Sequence, residues 1–317
     1  MRVLPMFLLL GCSEYSYTSP AERPGVGSDE EAPVADGTGT TDTATPTDTS
    51  VPAEDETPPP PAEDEEDSWL PDWWPTDWTS TDTGSDFDPW NFEIPVDPDM
   101  PTATAAIYVN DSSNLYTYDL STDTVHYVGT FYEQTTGGAC TWMVDIAIDN
   151  QGHLYGTCGN ELVQINPNNG TFVHALMLDQ EYVGLTFLSN GKLVLAGNGE
   201  LRLWDPTTNA ATVLNDGTNY VTSGDLVGLP DGKLYWTVTG GDDLVRLDAN
   251  NGNTTWVGAT SSNWGNEIWG VAWAEGQLFG FTSSGQVLQI SSTNAHVTLR
   301  ATQSTSFYGA AANPVTW

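Results

Sequence analysis

A short segment recurs four times along the chain, as DNQGHLYGT, LSNGKLVLA, LPDGKLYWT and WAEGQLFGF. Its glycines are Gly152, Gly191, Gly232 and Gly276, at successive intervals of 39, 41 and 44 residues. A second segment follows each copy and occurs once more upstream of the first. It reads LYTYDL, LVQINP, LRLWDP, LVRLDA and VLQISS, beginning at Leu115, Leu162, Leu201, Leu244 and Val287. Next comes a turn rich in Asp, Asn, Thr and Gly, then a β-branched run such as TVHYVG, TFVHAL or TTWVGA. Short apolar runs punctuated in this way read as strands joined by tight turns. Four such strands in a period of about 40 residues make one blade of a propeller, which buries its faces only against neighbouring blades.

Calling the strands of a unit a, b, c and d, strand a is expected to begin at Asp145, Gly184, Asp225, Gly270 and Gly309. The last of these, in FYGAAANP, has no b, c or d after it, whereas the first unit (AAIYVN, LYTYDL, TVHYVG) lacks an a. The expected fold is therefore all-β: a five-bladed β-propeller of four-stranded antiparallel blades spanning residues 101–317. Its ring would be closed by the C-terminal strand completing blade 1, which removes exposed sheet edges.

These repeats resemble the broad superfamily of NHL-repeat, gluconolactonase-like and streptogramin-lyase-like propellers over residues 105–314. The resemblance implies the fold and leaves the activity open, since the shared positions are turn and core positions. The metal ligands of gluconolactonase-like enzymes and the His-dependent site of streptogramin lyases have no residue-by-residue counterpart in this chain. Trp204-Asp205 stands where WD-repeat proteins carry their dipeptide, but the other blades read Tyr118-Asp119, Ile165-Asn166, Leu247-Asp248 and Ile290-Ser291.

Upstream of the repeats the composition changes. The whole chain carries 43 Asp and Glu against 7 Lys and Arg. Residues 1–100 hold 24 of those acids, two of those bases and 15 of the 20 prolines. A stretch such as GTGTTDTATPTDTSVPAEDETPPPPAEDEEDS buries too little apolar surface to offset its ordering entropy, so residues 12–100 read as a disordered acidic linker. Within it Trp69, Trp73, Trp74, Trp78 and Trp90 alternate with acids and prolines in a Trp-rich segment, residues 69–92, that either docks on a surface or is biased linker. Phe92 to Val96 is a candidate additional edge strand. So acidic a chain lacks the clustered Lys and Arg that phosphate backbones require, which excludes nucleic acid as a partner.

The first residues, Met1-Arg2 followed by an apolar run and Leu9-Leu10-Gly11-Cys12, resemble the lipobox of bacterial lipoprotein signal peptides. The resemblance implies a signal peptide over residues 1–11, lipidation of Cys12 and attachment to a membrane in the cell envelope. Ser13 in place of Asp points to the outer membrane. A plain secretory signal, with Cys12 incidental, is the alternative, and it also exports the protein. With Cys12 lipidated, Cys140 and Cys158 remain as an even pair in an oxidising compartment. They fall at the same end of one predicted blade, which supports a disulfide.

One end of the ring should carry the d-to-a and b-to-c loops (the loop face), the other the a-to-b and c-to-d turns (the turn face). The loop-face segments vary in length and content, and variable loops on a rigid repeat are where ligands bind. They offer Trp142, Tyr182, Tyr220, Trp264, Glu267, Trp269 and Tyr308, with Asp145 and Asp225 expected at the channel mouth. Aromatic rings beside carboxylates suit sugars, whose C–H faces stack while their hydroxyls take directed hydrogen bonds. The competing reading is that Trp269 and Tyr308 plug the channel and that the two Asp residues cap the loop.

No transition-metal cluster, Gly-rich phosphate loop or serine nucleophile elbow is present, and all four His lie outside the loop face. No cofactor is expected, although the acidic loops leave room for a structural Ca²⁺. The sequence thus favours a noncatalytic envelope module that binds a protein or a glycan. The alternative is a glycoside hydrolase-like or lactonase- or lyase-like enzyme using channel carboxylates.

Overall fold

The strands form in the order the repeat dictates. The computed structural model describes residues 94–316 other than 198, 209, 216–219, 240–241 and 261–267. The expectations for Cys12, the Trp-rich segment, Trp264 and Glu267 lie outside these residues. Blade 1 contains β1 (Ile107–Asn110), β2 (Asn114–Asp119) and β3 (Thr124–Thr130). A two-residue strand, β4 (Tyr132–Glu133), leads to β5 (Met143–Ile148), β6 (Leu154–Cys158), β7 (Glu161–Ile165) and β8 (Thr171–Met177) of blade 2. Blade 3 is β9 (Gly184–Phe187), β10 (Leu193–Gly197), β11 (Glu200–Asp205) and β12 (Ala210–Asn215). Blade 4 is β13 (Thr222–Gly228), β14 (Lys233–Val238), β15 (Asp243–Asp248) and β16 (Thr254–Gly258). Blade 5 is β17 (Ile268–Ala274), β18 (Gln277–Thr282), β19 (Gln286–Ile290) and β20 (Val297–Thr302). The last strand, β21 (Gly309–Ala312), returns to pair with β1 from Ile107↔Ala312 to Asn110↔Gly309, so the sheet order of blade 1 is β21-β1-β2-β3. The molecule is a five-bladed β-propeller closed by its C-terminal strand.

The repeated residues have identifiable tasks. Gly152, Gly191, Gly232 and Gly276 sit in the a-to-b turns with φ of 92°, 80°, 77° and 74°, a region that residues with a Cβ avoid. In blades 1 to 4 the c-to-d turn is capped by the residue at or just after the end of strand c: Asp119, Asn166, Asp205 and Asp248 accept the backbone N–H two residues on, at 2.8 to 3.0 Å. In every blade the c–d ladder shifts register at the start of the second repeated segment, between Leu115/Tyr116, Leu162/Val163, Leu201/Arg202, Leu244/Val245 and Val287/Leu288. A bulge at that place twists the outer strand and blunts it as a template for foreign strands.

The core lies between blades. Successive residues of one strand face opposite neighbours. In β1, Ile107 and Val109 join a buried cluster with blades 4 and 5, whereas Tyr108 joins one with blade 2. In β10, Leu195 faces blade 2 and Val194 faces blade 4. Sheets covered on both sides explain why the repeats read as almost continuous apolar runs.

Cys140 and Cys158 form the expected disulfide, with Cα atoms 6.1 Å apart, and tie the loop entering blade 2 to the end of β6. Closing a loop of this length contributes about 3 kcal/mol. The additional edge strand, however, is not where the sequence suggested. Residues 94–96 adopt no strand; the extra strand is β4, which pairs parallel with β8 through Tyr132↔Thr171 and Glu133↔Phe172. Pro95 lacks the N–H that a ladder needs. Ile94 packs instead against the cluster between blades 2 and 3. From there residues 97–105 follow the turn face: Asp97 N donates to Gln164 Oε1 (2.7 Å), Ala103 N to Gly152 O (2.7 Å), and Asn313 Nδ2 to Ala103 O and Ala105 O.

Candidate functional site

Five a strands converge on the ring axis, and one position recurs there: Asp145, Gly184, Asp225, Gly270 and Gly309. There is space for the two acidic side chains because the other three residues have none. A Cβ on Gly309 would lie 2.2 Å from Asp145 Oδ1, and one on Gly270 2.8 Å from the carbonyl carbon of Gly309. Asp145 and Asp225 are fully buried. Asp145 accepts its own blade's Ile146 N (2.8 Å) and Leu185 N of blade 3 (2.6 Å). Asp225 accepts Leu226 N (2.5 Å) and Val271 N of blade 5 (2.8 Å). The two carboxyl groups also interact electrostatically across the axis.

Burial pushes Asp145 up to about 7, and burial together with the Asp145 charge pushes Asp225 well above the usual carboxylate range. The fold therefore favours the protonated form of both groups relative to water. The sequence placed both groups at the channel mouth; in the structure they seal the axis beneath it.

One residue earlier in each blade stand Val144, Val183, Gly224, Trp269 and Tyr308, which ring the mouth on the loop face. The a–b ladders shift register between Met143/Asp145, Thr222/Leu226 and Ile268/Gly270. Such bulges re-aim the intervening side chains, here Val144 and Trp269. Together with Trp142 and Ser223 the five residues line a pocket of about 250 Å³. Tyr308 touches both indoles, with ring centroids 5.7 Å from Trp142 and 5.1 Å from Trp269. Trp142 remains 54% exposed, and its Nε1 donates to Glu181 Oε1 at 3.2 Å. Gly224 leaves the gap on the blade 4 side, where a Cβ would stand 2.3 Å from Ile268 O. In that gap the buried Ser223 Oγ has no hydrogen-bond partner among the described residues.

Tyr308 also forms the end wall of a second, polar furrow of about 380 Å³, between the b-to-c turn of blade 1 and the loop from blade 5. Its shape is set by Asp111, which accepts Ser113 N and Asn114 N (both 2.7 Å) and the Tyr116 hydroxyl (2.8 Å). Partial burial and the bond to Asp111 push the Tyr116 hydroxyl up to about 12. Ser112, Ser113, Ser304, Thr305 and Ser306 supply further hydroxyls.

Of the residues expected from sequence, Trp142, Trp269 and Tyr308 come together. Tyr182 does not join them: it is fully buried and donates to Asp179 Oδ1 (3.0 Å). Tyr220 packs edge-on against Trp236, centroids 6.3 Å apart. Sequence reasoning missed Val144, Val183, Ser223 and Gly224, although three of these share the position just before the axial residue with Trp269 and Tyr308. It missed the furrow, because that site joins one loop from each end of the repeat array and neither loop repeats.

No group of three or more His, Cys, Asp or Glu able to hold a metal ion occurs among the described residues. Neither pocket is lined by Lys or Arg. Lys192, Arg202, Lys233 and Arg300 are engaged in ion pairs with Asp205, Glu200, Asp248 and Asp123.

No family model matches this chain, and no curated protein matches it. Among solved structures, the crystal structure of a nidogen/laminin complex is similar over 67% of this chain and 99% of that chain, at 13% sequence identity and a TM-score of 0.47.

Proposed function

We propose that the chain is a noncatalytic binding module of the bacterial cell envelope. It is held at the outer membrane by a lipid on Cys12 and takes a saccharide at the mouth on its loop face. The observation that carries the binding assignment is the gathering of Trp142, Trp269 and Tyr308 from three blades around one pocket. A half-exposed indole beside packed aromatic rings offers a face for sugar C–H groups, and the unpartnered Ser223 Oγ and the Glu181 carboxylate border it. The enzymatic alternative has less support, because every carboxylate oxygen on the axis already serves a backbone N–H.

Isothermal titration of the full chain with neutral monosaccharides tests the mouth. Binding to at least one is expected, with a loss of at least about tenfold, or 1.4 kcal/mol, in Trp142→Ala. A flat panel, or a variant that binds as well as the parent, sinks the saccharide assignment and leaves a protein partner for this face. Anchoring is tested separately by metabolic labelling with an alkyne-tagged fatty acid in a bacterial host. Label should be incorporated in the parent and absent from Cys12→Ala; equal labelling of both, or none in the parent, rules the anchor out.

A further inference from the structure

The mouth and the polar furrow share a wall in Tyr308, and their chemistry differs in a complementary way. The mouth is mainly apolar and aromatic. The furrow is bordered by hydroxyls that both donate and accept, as sugar hydroxyls do. Resting on the saccharide reading above, we infer that the furrow is a second subsite, and that the ligand is a neutral oligosaccharide of two or more rings lying across blades 2, 1 and 5.

Three observations restrict the ligand to this class. The axis below the mouth is filled by Asp145 and Asp225, so a long ligand cannot thread the channel and must turn sideways. The furrow adjoins the mouth at Tyr308. A ligand bearing carboxylate or phosphate would meet Asp111 and no cation in either pocket, whereas a neutral one loses nothing there. The Asp111 oxygens are already taken by the turn and by Tyr116, so direct recognition falls to exposed hydroxyls, chiefly Ser304 and Ser306.

The test is calorimetric, on the full chain, with chitotetraose, cellotetraose and maltotetraose, their monosaccharides, and tetragalacturonate as an anionic control. At least one neutral tetramer should bind about tenfold or more tightly than its own monomer. Ser304→Ala/Ser306→Ala should bring that ratio close to one while leaving monomer affinity and melting midpoint unchanged, since both side chains are exposed. A ratio near one in the parent, or one that survives in the double variant, overturns the second subsite and leaves the mouth standing. Tetragalacturonate binding as tightly as the neutral tetramers overturns the neutral class. If monomers and tetramers alike fail to bind, the subsite falls together with the mouth.

Discussion

The two ends of the ring obey different rules. At the turn face the same small set of devices recurs: a left-handed glycine between a and b, and a capping Asp or Asn between c and d. At the loop face the blades differ. The position above the axis is Val in two blades, Gly, Trp and Tyr in the others, and the connecting loops differ in length. A stacked repeat needs each blade to turn identically at one end to keep its faces parallel, whereas the other end is released from that demand. The regular end therefore reports on architecture and the irregular end on recognition. The axial Asp and Gly residues lie between the two and belong with the architecture.

This division can be broken most severely at the axis. Gly309→Ala sets a methyl group 2.2 Å from Asp145 Oδ1 and 2.7 Å from Asp145 Cα. It should destabilise the propeller by about 3 kcal/mol, read as a lowered denaturation midpoint. A midpoint at the parental value would show that the axis is loosely filled.

An intermediate effect concerns pH. The folded chain releases the Asp145 proton only near pH 7 and holds the Asp225 proton more tightly than a free carboxyl group does, whereas the unfolded chain releases both near pH 4. Between about pH 4 and pH 7 the folded state binds more protons, so its stability falls as pH rises. Each group contributes up to about 1.4 kcal/mol per pH unit in that range. Asp225→Asn, which removes one of the two titrating groups, should flatten the slope of melting midpoint against pH. An undiminished slope would mean that other groups set the dependence. The smallest effect on stability is expected at the mouth. Trp142→Ala should move it by no more than about 0.5 kcal/mol, although the proposed saccharide binding should weaken at least about tenfold.

The blade count, the closure by residues 309–312, the turn glycines and the disulfide were legible because each follows from periodicity or topology. What the sequence hid depends on convergence in space. Asp145 and Asp225 are 80 positions apart, and no local pattern says that five strands bring them together across the axis. Tyr182 carries the same residue type as Tyr308 and also lies in a loop-face segment. It is buried because it sits two residues before the axial position rather than one. The furrow needed both the b-to-c turn of blade 1 and the final loop of the chain, regions joined only once the ring has closed. The residues at 94–96 illustrate the reverse error, since an apolar, β-branched stretch read as a strand found its burial without a ladder.

The path of residues 94–105 has one further consequence. Because this segment runs along the turn face, the chain enters the ring at the end opposite both pockets. The propeller therefore has a stem end and a crown end. A molecule bound at the entry of the chain therefore covers the turn face and leaves both pockets open.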